Sequence, residues 1–428
     1  AERERDLAEF IMTVSETNTA ESGSGDWMHL LSEDGLNLRE SEIRALFSVV
    51  SRPEVVSLAG GMPNLQDLPL DGIGEMTSKL IETDGTRALQ YGDGDGWNRL
   101  REQIAEIMSK EVIDADPYQI QITTGSQQAL QLASDILVNP GDVILAESPS
   151  YVGALGVFHS RRAEVEHIEM DEDGLRPDAL RQAIRDVRAS GRKVKFLYTI
   201  PNFHNPAGVS MSEARRPEIV DICRSEGVLI VEDNPYGLLG FDQEPTRALQ
   251  PLWPEGVIYL GSFSKIFAPG YRIGWALAPQ ALYEKLVLAA ESDILSPSMM
   301  GQMSISKYLE NFDWYAQVRD FAKMYKRRWE AMRDALEAEM PEGCTWTTPT
   351  GGFYTWVSLP EGIDSKEMLP RAVEGLVAYV PGTAFYYDGR GRDHVRLSFC
   401  YPTEEAIREG VRRFASVLKK EMAEVAKG

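Results

Sequence analysis

Cysteine is scarce in this chain: Cys223, Cys344 and Cys400 are the only three, odd in number and widely spaced. That argues against a disulfide framework and against a zinc site. The five histidines are scattered and form no H-E-x-x-H or similar metal-binding cluster. Positive charge is also short, with 44 Lys and Arg against 66 Asp and Glu, a net charge of −22. Such a surface repels phosphate backbones and anionic lipid, so neither nucleic acid nor a membrane is an expected partner. No run of 18 apolar residues occurs, so no transmembrane helix is expected. The first residues show no basic stretch followed by an apolar one, so no secretory signal is expected at this end. The expected setting is a reducing cytoplasm.

What is present is the composition of a globular protein, 43% hydrophobic and 26% charged, in a chain of 428 residues that is long for one domain and comfortable for two. Residues 1–36 stand apart, with nine acids and two arginines. They read as an acidic arm, with a short amphipathic helix over 2–13 as one option and a flexible linker at 21–26. Residues 39–50 read as a helix. Apolar, β-branched runs then recur at 120–122, 143–146, 165–168, 194–198, 228–231, 257–260 and 273–277. Helical patterns separate most of them, as at 126–137, 177–189 and 212–226. Short buried strands alternating with helices predict an α/β fold. Its expected core is a mostly parallel, seven-stranded sheet with helices on both faces. Ligands then bind beyond the carboxyl ends of the strands. From about residue 300 the pattern changes to a long charged helix over 303–339, two strands near 351–357 and 394–399, and a final helix from Glu404. That predicts a smaller α+β domain. The expected boundaries are 1–36 for the arm, 37–70 for a segment serving the small domain and the site, 71–310 for the large domain and 311–428 for the small one.

Three expected strand ends carry polar residues where apolar ones would be cheaper. Glu232 and Asp233 close an apolar run, and a carboxylate there is costly to desolvate unless it meets a cation. Lys265 sits between Ser262, Ser264 and a Pro269-Gly270 turn. Asn202, His204 and Asn205 follow the strand ending near Tyr198. The turn Thr124-Gly125-Ser126-Gln127 follows a strand and opens a helix, so its backbone N–H groups and the helix dipole can face an anion. Gly125 allows close backbone approach there.

Taken together, Ser262, Ser264 and Lys265 with Arg272 seven residues on, preceded by Asp233…Tyr236 and Asn205-Pro206-Ala207-Gly208, resemble the fold type I pyridoxal-phosphate (PLP) enzymes of the aspartate aminotransferase superfamily. The resemblance spans about residues 38–420. Ile43-Arg44, Arg52-Pro53, the stretch from Ser57 to Pro63 and the stretch from Pro201 to Pro206 are similar to the class I branch that includes 2-aminoadipate, kynurenine and aromatic aminotransferases. The resemblance implies a Schiff base between PLP and Lys265, whose amine must be unprotonated to form it, as burial or nearby positive charge allows. It also implies that Asp233 pairs with the pyridine nitrogen and keeps the ring an electron sink. Asn205 and Tyr236 would bond the ring's phenolate oxygen. Gly125, Ser126, Gln127, Ser262, Ser264 and Arg272 would hold the phosphate, helped by Tyr91 from across a dimer interface. Tyr151 would stack on the ring. For the substrate it implies that Arg396 grips the α-carboxylate, that Gly60 and Gly61 let backbone approach, and that Arg44 reads a distal carboxylate. Without the resemblance, Tyr91 and Tyr151 are loop aromatics, Tyr236 is packing, and Arg44 is a solvated helix residue.

The expected reaction is amino transfer from an L-amino acid to a 2-oxo acid, with 2-oxoglutarate as acceptor, by a ping-pong mechanism in a homodimer. Donors of the 2-aminoadipate or glutamate type follow if Arg44 reads a carboxylate, and aromatic donors follow if the pocket is apolar. The same scaffold hosts lyases and other PLP reactions, so the fold does not decide the chemistry. PLP-binding regulators carry a DNA-binding domain ahead of such a unit, and the acidic residues 1–37 are not expected to supply one.

Overall fold

The structure is a computed structural model and describes residues 27–44, 46 and 52–427. The helix expected over 2–13, the linker at 21–26 and part of the helix expected over 39–50 lie outside these residues.

Strands β2 (Ile120–Thr123), β3 (Val143–Ser148), β4 (Glu164–Asp171), β5 (Gly174–Leu175), β6 (Val194–Thr199), β7 (Leu229–Asp233), β8 (Val257–Ser262) and β9 (Gly274–Leu277) follow a two-residue strand β1 (Val56–Ser57). β2 to β9 form one sheet in the order β2-β9-β8-β7-β6-β3-β4-β5. From β4 through β3, β6 and β7 to β8 every pairing is parallel. β9 runs antiparallel to β8 and β2. All seven expected strands are present. The eighth, β5, is a two-residue hairpin partner of β4, too short to register as an apolar run.

Alternate residues of each strand feed opposite cores, as the two-residue period of a strand requires. Leu145, Leu197, Ile230 and Val257 pack with the helices Pro177–Ala189 and Arg216–Glu226. Ala146, Phe196, Tyr198, Val231 and Leu260 pack on the other face with the helices Gly125–Leu137, Val152–Ser160 and Gln280–Ile294. Two-sided cover is what makes these strands continuous apolar runs. The runs end on Ser148, Thr199, Asp233 and Ser262, and that edge of the sheet carries the site.

The single helix expected over 303–339 is two helices, Met299–Asn311 and Trp314–Glu339. Phe312 is extended between them, and the Asp313 side chain caps the second by accepting from the Ala316 N–H at 3.0 Å. Asp is favoured at that position because it satisfies an orphan backbone donor. The remaining strands are β10 (Thr345–Trp346), β11 (Tyr354–Ser358), β12 (Val377–Ala378), β13 (Val380–Pro381) and β14 (His394–Ser398). Four of them make an antiparallel sheet in the order β10-β11-β14-β13, and β12 pairs in parallel with β1. Leu58 extends that pairing, donating to the Ala378 carbonyl and accepting from the Ser398 N–H, each at 2.8 Å. Ala59, Gly60 and Gly61 are thereby laid beside Arg396 on β14. Gly410 lets the helix Glu404–Val425 close on β1, since a Cβ there would stand 2.7 Å from Val56 Cγ1.

A buried polar network braces the loops beyond β6 and β7. Arg216 donates to Asn202 Oδ1 at 2.6 Å and to the carbonyls of Met211 and Arg247. Asn202 donates to Asn234 Oδ1 at 2.9 Å, and Asn234 and Tyr259 both donate to Glu111 at 2.6 Å. Removing one charged member leaves the rest uncompensated in a low dielectric. Arg216→Met is therefore expected to cost about 3–5 kcal/mol of stability in chemical denaturation. Arg181→Ala, which breaks a half-exposed pair with Glu218, should cost about 0–1 kcal/mol.

Candidate active site

Asp233 ends β7 and is buried. Its Oδ2 accepts from the Tyr198 hydroxyl at 2.6 Å, while Oδ1 is buried with no hydrogen-bond partner. Burial pushes the carboxyl up to about 6, with the Tyr198 hydroxyl pulling down and Glu147 adding to the rise. An acceptor left open in this way fits a protonated ring nitrogen, the group that would offset its desolvation. Tyr151 also faces this end of the sheet, and burial followed by Asp233 pushes its phenol up to about 12.

A cradle lies beside it. Gly125 has φ +76°, and a Cβ there would stand 2.4 Å from Arg272 Nη2, so the guanidinium rests directly on this glycine. The helix that begins at Gly125 has no side-chain cap, which leaves its first N–H groups free for an anion. Gly274 is needed for the same approach, because a Cβ would meet the Ser126 nitrogen at 2.5 Å. Arg272 Nη1 lies 3.4 Å from Ser264 Oγ, and Ser262 Oγ accepts from the Ser264 N–H at 3.0 Å. A guanidinium, two hydroxyls and an uncapped helix start suit a phosphate dianion.

Lys265 follows β8. Its amine donates to the Gly61 carbonyl at 2.8 Å and lies 5.4 Å from the centre of the Phe353 ring. Burial brings the ammonium down to about 8; Cys400 opposes this, and Arg396 and Arg272 add to it. Across Gly61 is Arg396, buried on β14. It donates from Nη1 to Asn205 Oδ1 at 2.8 Å and from Nη2 to the Ala59 carbonyl at 2.7 Å, while its Nε has no partner. Its guanidinium carbon lies 4.2 Å from the centre of the Tyr354 ring and 5.0 Å from that of Phe385. Tyr236 meets Tyr354 and Phe353 edge-on at 6.1 and 5.3 Å between centroids. A Cβ on Gly61 would stand 2.3 Å from the Tyr354 hydroxyl, so that ring would have to shift to admit one.

A family model, aminotransferase class I and II, matches residues 54–414. The chain belongs to that family. Aromatic-amino-acid aminotransferase 1 of Thermococcus litoralis is 42% identical over 399 residues, 93% of this chain and 96% of the relative. The crystal structure of Pyrococcus horikoshii kynurenine aminotransferase in complex with PMP superposes with a TM-score of 0.89 at 39% identity, covering 93% of this chain and 98% of that one. An alpha-aminoadipate aminotransferase of Thermus thermophilus, complexed with N-(5′-phosphopyridoxyl)-L-leucine, gives 0.86 at 32% identity, covering 93% of this chain and all of that one. The protein is a PLP-dependent aminotransferase.

Not every expected site residue joins the aminotransferase's cluster. Gln127 turns to Tyr151, donating to the Gly153 carbonyl at 2.9 Å and lying 3.4 Å from the Tyr151 hydroxyl. Tyr91 is 78% exposed. Arg44 has a side chain 77% exposed and pairs with Glu40 at 3.4 Å. Among the described residues neither is bonded to the cluster. Conversely, Tyr198, Tyr354, Phe385 and Glu147 stand at the site without having been singled out. The aromatic ones lie in apolar surroundings, where a ring reads as core. Glu147 lies one residue before the end of β3, as Glu232 does on β7, and an acid so near a strand end was the available signal. It accepts from the Ile200 N–H at 2.8 Å and the Thr199 hydroxyl at 3.1 Å.

In the protein freed of PLP, the Lys265 amine is expected to titrate at about 8, so it is mostly ammonium at pH 7 and mostly free amine at pH 9. Arg396→Met removes a facing cation and should move that midpoint upward. Carbon-13 NMR of the reductively methylated lysines, followed against pH, checks both.

Proposed function

We propose that this aminotransferase takes aromatic L-amino acids as donors, with dicarboxylic ones such as glutamate or 2-aminoadipate as alternates, and 2-oxoglutarate as acceptor. The observation that carries the reading is the setting of Arg396. Its guanidinium lies over the rings of Tyr354 and Phe385, and its charge acts on the Lys265 amine, which is bonded to the Gly61 carbonyl. A ligand carboxylate on Arg396 then has aromatic surface beside it and an amine before its Cα. The names of the relatives, aromatic and kynurenine aminotransferases among them, support the same preference.

When bound, PLP supplies the electron sink that allows a proton to leave Cα. Lys265 would hold the cofactor through its amine, and that amine, once freed by an incoming amino acid, would move the proton from the substrate Cα to C4′ of the cofactor. Its lowered basicity suits that work near neutral pH. Arg396 fixes the α-carboxylate and so orients the Cα–H bond toward Lys265. Asp233 keeps the ring nitrogen protonated, and Asn205 and Tyr236 hold the phenolate oxygen. Gly125, Ser126, Gln127, Ser262, Ser264 and Arg272 hold the phosphate, and Tyr151 covers the ring. Tyr91 reaches the phosphate of a second copy, and its exposure supports a homodimer. Arg44 exchanges Glu40 for a distal carboxylate of dicarboxylic substrates. Residues 37–70 and 311–428 act as the small domain against 71–310, as the β1–β12 pairing supports. The three free cysteines support a reducing, cytoplasmic setting.

Donors tested in turn against 2-oxoglutarate should give parallel double-reciprocal plots and a new amino acid. Release of ammonia would overturn the reading. Lys265→Ala should retain no borohydride-reducible covalent cofactor. Arg44→Ala should raise KM for glutamate and 2-aminoadipate while leaving phenylalanine unchanged, and an equal loss for all three would remove Arg44 from the substrate site.

A further inference from the structure

We propose that Tyr198 is a positioning residue for the cofactor: its hydroxyl pins one oxygen of Asp233, so that the other alone meets the ring nitrogen. The inference rests on the reading of Asp233 as partner of that nitrogen.

Tyr198 lies on β6, flanked by Ala146 of β3 and Val231 of β7 in the strand register. Its ring is fully buried and meets Phe158 edge-on, with centroids 5.5 Å apart and planes at 78°. That packing would serve a phenylalanine equally well. The hydroxyl is what a phenylalanine lacks, and it donates to Asp233 Oδ2 at 2.6 Å. A hydroxyl on a carboxylate at this distance is a short, charge-assisted bond. The partner oxygen, Oδ1, is buried and unbonded. One oxygen is thus held and the other left open, which fixes the rotation of the carboxylate about its last bond.

The bond also bears on where a shared proton resides. Donation by Tyr198 stabilises the ionised form of Asp233, and so leaves the proton on the ring nitrogen rather than on the carboxylate. Nearby Glu147 raises the cost of that ionised form, and its own oxygens are engaged by Ile200 and Thr199. Glu147 therefore cannot substitute for Tyr198 as a donor, and it makes the donor more necessary.

The test compares PLP with its carbocyclic analogue, in which the ring nitrogen is a C–H group. Both are titrated into the full-length apoenzyme of wild type, Tyr198→Phe, Asp233→Asn and the double variant. Loss of a bond to a charged group predicts PLP binding about tenfold weaker in Tyr198→Phe, with the analogue's affinity unchanged. In the Asp233→Asn background Tyr198→Phe should have no further effect. Equal weakening of both ligands, or unchanged PLP binding, overturns the proposal. Asp233→Asn binding PLP like wild type would instead sink the assignment of Asp233 itself. If Tyr198→Phe does not fold, 3-fluorotyrosine at position 198 supplies a stronger donor. It should raise the ratio of PLP to analogue affinity, and an unchanged ratio overturns the proposal.

Discussion

A carboxylate at the end of a strand buried on both faces is the constraint around which this enzyme is built. Desolvation of Asp233 is unfavourable in the folded chain, as its raised pKa shows. The structure holds this group in place with one hydroxyl and leaves the second oxygen without a donor. Such an arrangement is stable only because the surrounding sheet over-determines it. β7 pairs in parallel on both sides, and the loop beyond it is tied through Asn234 to Asn202 and Glu111. The fold accepts a local cost at this strand end.

The other groups are organised around that point from remote parts of the sequence. Arg272 reaches Gly125 because Gly274 lets β9 lie against the start of the helix after β2. Arg396 arrives on an antiparallel strand of a different sheet, and Ala59 and Gly61 are brought to it by Leu58, which bridges Ala378 and Ser398. Desolvation of Lys265 and, after it, positive charge from Arg396 and Arg272 act together on one amine. No single element contains the site; it exists only when both sheets are formed and joined.

Much of this was legible because burial on two faces writes a distinctive pattern. The seven strands showed as apolar runs, and Asp233 and Lys265 showed as charges at their ends. The hairpin β5 did not, being two residues long. The break at Phe312 and Asp313 did not either, since the residues on both sides favour a helix and one capping carboxylate makes the stop. Tyr198 and Tyr354 were hidden for another reason. Their rings satisfy the core pattern, and the hydroxyls that matter at the site leave no trace in hydrophobic periodicity. Arg44 carried the opposite difficulty: a motif drew attention to it, while its surroundings are those of a solvated ion pair.

Arg396 is never a bare cation in this fold. Each terminal nitrogen already donates once, to an amide oxygen and to a main-chain carbonyl, both neutral. Nε and the second N–H of each terminal nitrogen are left over for a ligand. A neutral group gains only a hydrogen bond there, whereas an anion gains the charge term as well. Neutral partners thus orient the guanidinium without neutralising it, so the group discriminates by charge rather than by shape.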